Sequence, residues 1–363
     1  MTLGELKKIL EDCGVVGAGG GGFPTHLKID SRVKTVILNC AECEPLVKVD
    51  QFLLAKYPQQ IISALKILSD VLNCDIKIAV KKSYSAAISA VEKIIINEPL
   101  MELALLNEVY PAGDEILLIH EVLDLVIPPG SFPIESGCAV LNVETVYNIS
   151  GAIEHGAAVT HKWVTIAGEV KNTRTIRVPV GIPVGEAVEA AGGSTVDYPT
   201  YIVGGVMMGD LTTEVITKTT NAIIVLPQDH YLVHRAKFNP SIELNRAASA
   251  CCQCRNCTDM CPRFLLGYPI EPHKIMRAVA ARDATSETFN GAMYCSLCGL
   301  CEMVACPQSL SPRSLIKIFR SALAKAGIKP KKCKARPISE GNAYRKIAAK
   351  RLVARLGLSK YDA

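Results

Sequence analysis

The sequence predicts three successive units, an α/β layered domain, a small α+β module and an α-helical domain, closed by a basic tail. Three observations carry this prediction. Apolar runs of strand length alternate with amphipathic helical stretches as far as residue 157. Near Thr160 the texture changes to short strands around a single helix. After His230 it becomes helical and polar, and two dense cysteine runs occur there between Cys251 and Pro307. The boundaries so set are 1–157, 158–232, 233–327 and 328–363.

The first unit opens with a helix over residues 1–13, on which Leu3, Leu6, Ile9 and Leu10 share a face. The glycine-rich stretch from Gly14 to Thr25 follows. Such a run is irregular, and its bare backbone lets N–H groups approach a ligand closely, as phosphate-cradling loops do. A dinucleotide Rossmann loop needs a strand before it and a helix straight after. Here a helix precedes and Phe23-Pro24 follows, which argues against one; on composition a plain surface loop is the alternative. Thr35 to Asn39 reads as a buried strand running into the polar turn Cys40-Ala41-Glu42-Cys43-Glu44-Pro45, at the strand end where α/β sheets place ligand sites. Asn39 offers both a donor and an acceptor to a heterocycle edge. Glu42 and Glu44, taken alone, read as two solvated carboxylates.

Helical periodicity covers Asp50 to Leu72 with a break at Tyr57-Pro58, and Ile76 to Val80 is a strand. Tyr84 to Ile96 is a helix, Leu103 to Val109 a strand, and a helix follows Tyr110-Pro111-Ala112-Gly113-Asp114-Glu115 to about Leu125. The unit closes with a strand from Ala139 that turns at Asn142 into a helix reaching Glu154. In the second unit, Trp163–Gly168, Thr175–Val180, Tyr201–Val203 and Ala222–Leu226 read as strands and Pro183–Ala191 as a short helix. One helix among several short strands suggests a β-grasp module.

The third unit carries Cys251-x-x-Cys254-x-x-Cys257-x-x-x-Cys261-Pro262 and Cys295-x-x-Cys298-x-x-Cys301-x-x-x-x-Cys306-Pro307. Two intervening residues let neighbouring thiolates turn onto one face of a cubane, and eight cysteines at these spacings suit two [4Fe–4S] clusters. In two-cluster ferredoxins the distal cysteine before proline ligates the other cluster. Cys251, Cys254, Cys257 and Cys306 are therefore expected on one cluster, and Cys295, Cys298, Cys301 and Cys261 on the other. Zinc sites pair two Cys-x-x-Cys elements and need only four ligands, a poorer match. Cys252 stands between ligands and either packs nearby or exchanges with Cys251. Helices are expected over Pro272–Ala281 and Pro312–Ala326, and the lysine-rich stretch beyond reads as a solvated tail or as a docking surface for an acidic partner.

Bulk properties narrow the function classes. The chain is 49% hydrophobic, enough for a sizeable core, and only 5% aromatic. Few aromatics and a net charge of +5 argue against nucleic-acid binding. Fifteen cysteines without a signal-peptide pattern fit a reducing cytosol. No apolar run approaches the ~18 residues that span a bilayer, Ile116 to Ile127 being broken by His120, Glu121 and Asp124.

With these residues in view, the chain resembles a known family over nearly its whole length. Gly17 to Thr25 with Lys28 looks like the flavin loop of the respiratory complex I flavoprotein subunit, and more closely like that of Rnf complex C subunits. Asn39 to Pro45, Tyr110-Pro111-x-Gly113-x-Glu115 and Asn142-Val143-Glu144-Thr145 are similar to the next three motifs. Gly204 to Gly209 resembles the SLBB (soluble-ligand-binding β-grasp) signature. Within the family, the short N-terminus is most like the cobalamin reductases of propanediol-utilisation microcompartments. Arg351 to Asp362 resembles the start of a C-terminal module in these proteins.

The resemblance implies a complex I flavoprotein-like FMN domain, an SLBB module and a dicluster ferredoxin domain. It implies noncovalent FMN bound by Gly17, Gly19, Gly20, Gly22, Lys28, Asn39, Glu42, Gly113, Asn142 and Thr145. Phe23, Glu44 and Glu115 match positions that contact the nicotinamide cofactor, with the two glutamates in the catalytic role. Ala41 stands where complex I has Asp, Asp114 where it has Glu, and Ser31 where it has a second clamping aromatic, and these departures touch NAD(P)H more than FMN. The implied function is electron transfer from NAD(P)H through FMN and two [4Fe–4S] clusters to cobalamin; an Rnf-type subunit without a corrinoid is the alternative. The implied setting is the cytoplasm within a microcompartment, with a cobalamin adenosyltransferase and shell proteins as partners, and it admits a homo-oligomer.

Overall fold

The computed structural model describes residues 1–212, 214–283, 287–343 and 346–362. Its first half holds β1 (Thr35–Cys40), β2 (Asp75–Lys81), β3 (Met101–Leu106), the two-residue β4 (Val109–Tyr110) and β5 (Cys138–Asn142). Four of these make a parallel sheet in the order β3-β2-β1-β5. Alternate residues serve opposite faces, as the pleat requires. Val36, Leu38, Ile76, Ile78 and Leu141 pack under the helices Leu3–Asp12, Val49–Lys56, Pro58–Leu72, Ser85–Ile95 and Val143–His155. Ile37, Ala79, Cys138 and Val140 face the other way, onto Ile116 and Ile119 of helix Glu115–Leu123 and onto Leu266, Tyr268 and Ile270 of the cysteine-bearing unit. The cysteine unit thus completes the second layer of the sheet, which is why these strands read as continuous apolar runs.

The strand expected over Leu103–Val109 is two strands. The chain leaves the parallel sheet at Asn107 and Glu108, and β4 then pairs antiparallel with β11 (Ile347–Ala348). Between them in sequence lies the second sheet, of β6 (His161–Gly168), β7 (Arg174–Pro179), β8 (Pro199–Val203), β9 (Asp210–Leu211) and β10 (Ala222–Pro227), in the order β7-β6-β10-β8-β9. Helix Val184–Ala190 packs Ala187 and Val188 on its apolar face. A buried ion pair ties this sheet to the first unit. Lys162 on β6 donates to Glu144, and Glu144 also accepts the Trp163 N–H at 2.8 Å.

The third unit is built on helices Pro240–Ala250, Pro272–Ala280 and Pro312–Lys325. The tail behaves differently from a solvated segment. Residues 328–336 are largely exposed, but Arg336 donates its N–H to Gly267 O and Ser339 donates to Leu265 O. Ile347, Leu352, Val353, Leu356 and Leu358 are then buried in the main core. The lysine run conceals this because its charges lie ahead of the short apolar segment that packs. The tail becomes a strap across all three units: Arg355 Nη2 donates to Val304 O at 2.9 Å, and Tyr361 Oη to Glu169 Oε1 at 2.8 Å. Among the described residues no helix is long and apolar enough to cross a membrane.

Candidate functional site: a cleft beside the cysteine centre

Strand order reverses between β1 and β5, and ligand crevices of open α/β sheets form outside the carboxyl ends at such a point. Asn39 and Asn142 are register partners at those two ends. Above them lies a cleft of about 1350 Å³ lined by all three units. Of the expected residues, Gly17, Gly19, Phe23, Lys28, Asn39, Glu42, Glu44, Gly113, Glu115, Asn142 and Thr145 line it, while Gly20 and Gly22 do not. Gly22 closes the loop instead, donating its N–H to Gly17 O at 3.0 Å. Cys43 and Met208, each inside a motif but not singled out there, also line it, together with Asp50, Asn221 and Ser296. Cys298, a predicted cluster ligand, borders the cleft as well, which its ligand spacing alone could not reveal.

The glycine loop is pinned from below. Thr145 Oγ1 accepts the Ala18 N–H at 2.9 Å. A Cβ on Gly19 would stand 3.2 Å from the Asn142 side chain, so the loop lies close over β5. Lys28 Nζ is held by Glu115 Oε1 at 2.7 Å and Val140 O at 2.8 Å, a cation fixed at the cleft. The Thr25 hydroxyl is buried there without a partner, an unused polar group facing the site. Phe23 stands at the rim, 46% exposed. Open backbone at Gly21, one cation and a spare hydroxyl fit a phosphate-bearing ring such as FMN.

The two asparagines are engaged by the protein. Asn39 Nδ2 donates to Gly113 O at 3.0 Å and its Oδ1 accepts the Ala41 N–H, fixing two cleft turns together. Asn142 caps helix Val143–His155 through the Glu144 N–H and donates to both Asp50 oxygens, at 2.8 and 2.7 Å. Glu42 is not a solvated carboxylate: it accepts the Asp50 and Gln51 N–H groups at the start of helix Val49–Lys56. Burial pushes both Glu42 and Asp50 above the usual carboxylate range, and for Asp50 the neighbouring Glu42 charge adds to it.

Glu44 is the hinge between units. Its Oε2 accepts the Met207 N–H at 3.0 Å, from the glycine turn of the second unit, while Oε1 is buried without a partner. Gly205, at φ +112°, lies so close that a Cβ there would stand 2.5 Å from Glu44 Oε2. Burial lifts the Glu44 carboxyl from 4.5 to about 7. On the third side, the buried Tyr110 hydroxyl donates to Cys298 O at 2.6 Å. The residue that leads into the cleft lining at Pro111 is therefore hydrogen-bonded directly to the second cysteine run.

The thiols group as two sets. Cys257 is pushed up to about 12 by burial and then by Cys251, Cys254 and Cys306. Cys301 is pushed up by burial and then by Cys295, Cys298 and Cys261, among other groups. Cys306 thus sits with the first run and Cys261 with the second. Cys252 is exposed and neighbours Cys254. Left-handed backbone at Gln253, Arg255 and Leu297 curls the loops around their thiols. Leu297 N–H and Leu310 N–H donate to Cys295 Sγ and Cys306 Sγ, both at 3.3 Å. The extra residue of the second run has a physical place: Cys301–Ala305 forms a π-helical turn, which holds one residue more per hydrogen-bonded turn than an α-helix. All fifteen cysteines are free of disulfides. Among the described residues no three ligand side chains converge on a single ion, whereas a cubane spreads its thiolates around a whole cluster.

Comparison with known proteins agrees with this layout. The Nuo51 FMN-binding domain matches residues 10–151, the SLBB domain residues 163–211 and the 4Fe-4S dicluster domain residues 250–311. The chain is 38% identical to cobalamin reductase PduS of Citrobacter freundii, over 98% of this chain and 79% of that protein. It is 30% identical to the C component of the Na(+)-translocating ferredoxin:NAD(+) oxidoreductase complex of Acetobacterium woodii, over 73% of this chain and 59% of that component. A solved structure of NAD+-reducing [NiFe]-hydrogenase shares the fold, with a TM-score of 0.59 and 18% identity, over 99% of this chain and 66% of that one.

Proposed function

The chain belongs to the cobalamin reductase PduS family, and from that premise we propose that it is an NAD(P)H-dependent oxidoreductase delivering single electrons to cobalamin. When bound, FMN accepts a hydride's two electrons and two [4Fe–4S] clusters pass them on one at a time. One observation carries this reading: a single cleft is lined by the glycine loop, Lys28 and the ligand cysteine Cys298. Contact between the flavin site and a cluster ligand is what a short electron path needs.

The protein's own groups then have these tasks. Gly17, Gly19 and Gly21 present backbone to the phosphate end, with Lys28 and Thr25 supplying charge and a hydroxyl. Gly20 and Gly22 shape the loop. Asn39 and Asn142 hold the turns that define the cleft floor, and Thr145 holds the loop above it. Glu42 lines the cleft and also holds the start of helix Val49–Lys56. Phe23 at the cleft rim and Glu115 beside Lys28 are the groups assigned to the nicotinamide cofactor, and Glu44 joins the cleft to the SLBB turn. Cys261, Cys295, Cys298 and Cys301 hold the cluster near the cleft; Cys251, Cys254, Cys257 and Cys306 hold the farther one. The setting that fits is a propanediol-utilisation microcompartment, with an adenosyltransferase as the consumer of reduced corrinoid.

The test is anaerobic purification with iron, sulfide and flavin quantified on one sample. Titration with NADH and NADPH should bleach the flavin, and added cob(II)alamin should be reduced at the expense of either donor. A flavin that stays oxidised with both donors rejects the dehydrogenase role. The similarity to the A. woodii protein supports a second reading, an electron carrier within a membrane reductase assembly. Copurification with membrane proteins of such an assembly and no corrinoid reduction would favour it.

A further inference from the structure

A second large cavity, of about 990 Å³, lies outside the flavin cleft, where the SLBB turn meets the cysteine unit. We propose that this cavity is the corrinoid site, where electrons leave the protein. The inference rests on the cobalamin reductase reading and assigns the substrate a place.

Four features point there. First, one face of helix Pro312–Lys325 is turned to the cavity: Ser314, Lys317, Ile318 and Ser321 fall at the i, i+3, i+4, i+7 spacing of a single helical face. Second, the walls are mixed in the way a corrinoid demands. Met207, Met303 and Ile318 offer an apolar surface to a ring face. Lys317 pairs with Asp210 at 3.0 Å and Arg235 faces Glu302 at 3.8 Å, so the three cations exceed the two carboxylates by one charge, that of Arg313, which is left for a phosphodiester.

Third, Arg235 carries an unused donor. Its Nη1 and Nη2 donate to Ser309 O at 2.6 Å and Leu310 O at 3.1 Å, but its Nε is buried without a partner. A buried guanidinium N–H lacking an acceptor at a cavity wall is what an amide or phosphate oxygen of a ligand would satisfy. Fourth, the cavity touches both clusters' ligand loops. Met303 lies between Cys301 and Cys306, and Leu310, whose carbonyl Arg235 holds, donates its N–H to Cys306 Sγ. A corrinoid seated here is adjacent to the protein segments that carry ligands of both clusters, and the Gly204–Gly209 turn separates it from the other cleft, with Met207 lining this cavity and Met208 the cleft. The overall balance is NAD(P)H and two cob(II)alamin giving NAD(P)+, a proton and two cob(I)alamin. Each cobalt gains one electron, and no cobalt–carbon bond is made.

The experiment uses anaerobically purified holoprotein and cob(II)alamin, with binding measured by equilibrium dialysis and by the cobalt EPR spectrum. Ser321→Trp fills the cavity from an exposed helix position, and Lys317→Glu reverses one rim charge. Iron, sulfide and flavin contents are measured on both to show that the fold and cofactors are retained. Ser321→Trp should weaken cob(II)alamin binding at least tenfold. Lys317→Glu should weaken it several-fold, yet change binding of cobinamide, which lacks the phosphodiester, less than twofold. Wild-type affinity in Ser321→Trp overturns the site assignment while leaving the proposed function standing. A wild-type protein that neither binds nor reduces cob(II)alamin overturns the proposed function, and the site with it.

Discussion

Glu44 makes the junction between the FMN-binding domain and the SLBB turn sensitive to pH, and the size of the effect follows from its burial. The carboxyl rises from 4.5 to about 7 because it is desolvated, with only the Met207 and Met208 backbone, Tyr110 and Arg313 opposing that rise. Opening the junction returns Glu44 to water and to its ordinary range. Between those two values the closed junction binds more protons than the open one, so its stability falls as pH rises. The effect is confined to the window from about 4.5 to about 7 and is complete above it. At 1.36 kcal/mol per unit, the closed junction loses about 3 kcal/mol across the whole window. The unpartnered Oε1 agrees with the sign, since a neutral carboxyl tolerates burial where a carboxylate does not. Hydrogen exchange of the peptide spanning Gly204–Gly209 reads this directly, because the Met207 amide is protected by Glu44 itself. After correction for base-catalysed chemistry, protection in the wild type should drop by about a hundredfold between pH 5 and 8, the greater part of those 3 kcal/mol. Glu44→Gln should abolish that dependence while keeping an acceptor for Met207. Protection independent of pH in the wild type, or an unchanged slope in Glu44→Gln, would refute the reasoning.

Three further outcomes are expected. Cys261→Ala should remove the same cluster EPR signal as Cys298→Ala and leave the signal lost in Cys257→Ala, because Cys261 sits with the second-run thiols. Lys28→Met should weaken FMN retention at least tenfold, or about 1.4 kcal/mol or more, measured by flavin release on dilution, since it removes the cation fixed at the cleft. Ile347→Asp places a charge at a site 6% exposed and should lower stability by about 3 kcal/mol, seen as a lower thermal unfolding midpoint and earlier proteolysis of the strap.

Much of the fold was legible because strand and helix periodicities are local. The parallel strands announce themselves as apolar runs, and Asn39 and Asn142 stand at strand ends that the sequence alone marks, although their pairing does not show there. The cysteine runs carry their own chemical signal, since ligand spacing is a property of the chain itself. The glycine loop was also readable, and at Gly19 the close approach of Asn142, 3.2 Å from where a Cβ would stand, favours glycine. Glu42 and Glu44 were not readable, because a carboxylate's role depends on what surrounds it. One became a helix cap and the other an interdomain hinge.

The sequence by itself therefore determined the order of the units, the two cysteine runs and the composition of the glycine loop. Those features rest on short-range periodicity and on donor types that need no distant partner. Tertiary structure alone decided that Cys298 borders the flavin cleft, that the basic tail becomes a packed strap, and that a second cavity opens beside the cluster loops. Each depends on surfaces far apart in sequence meeting across a core, and burial, which sets both the strap's packing and the Glu44 proton affinity, is a property of that meeting.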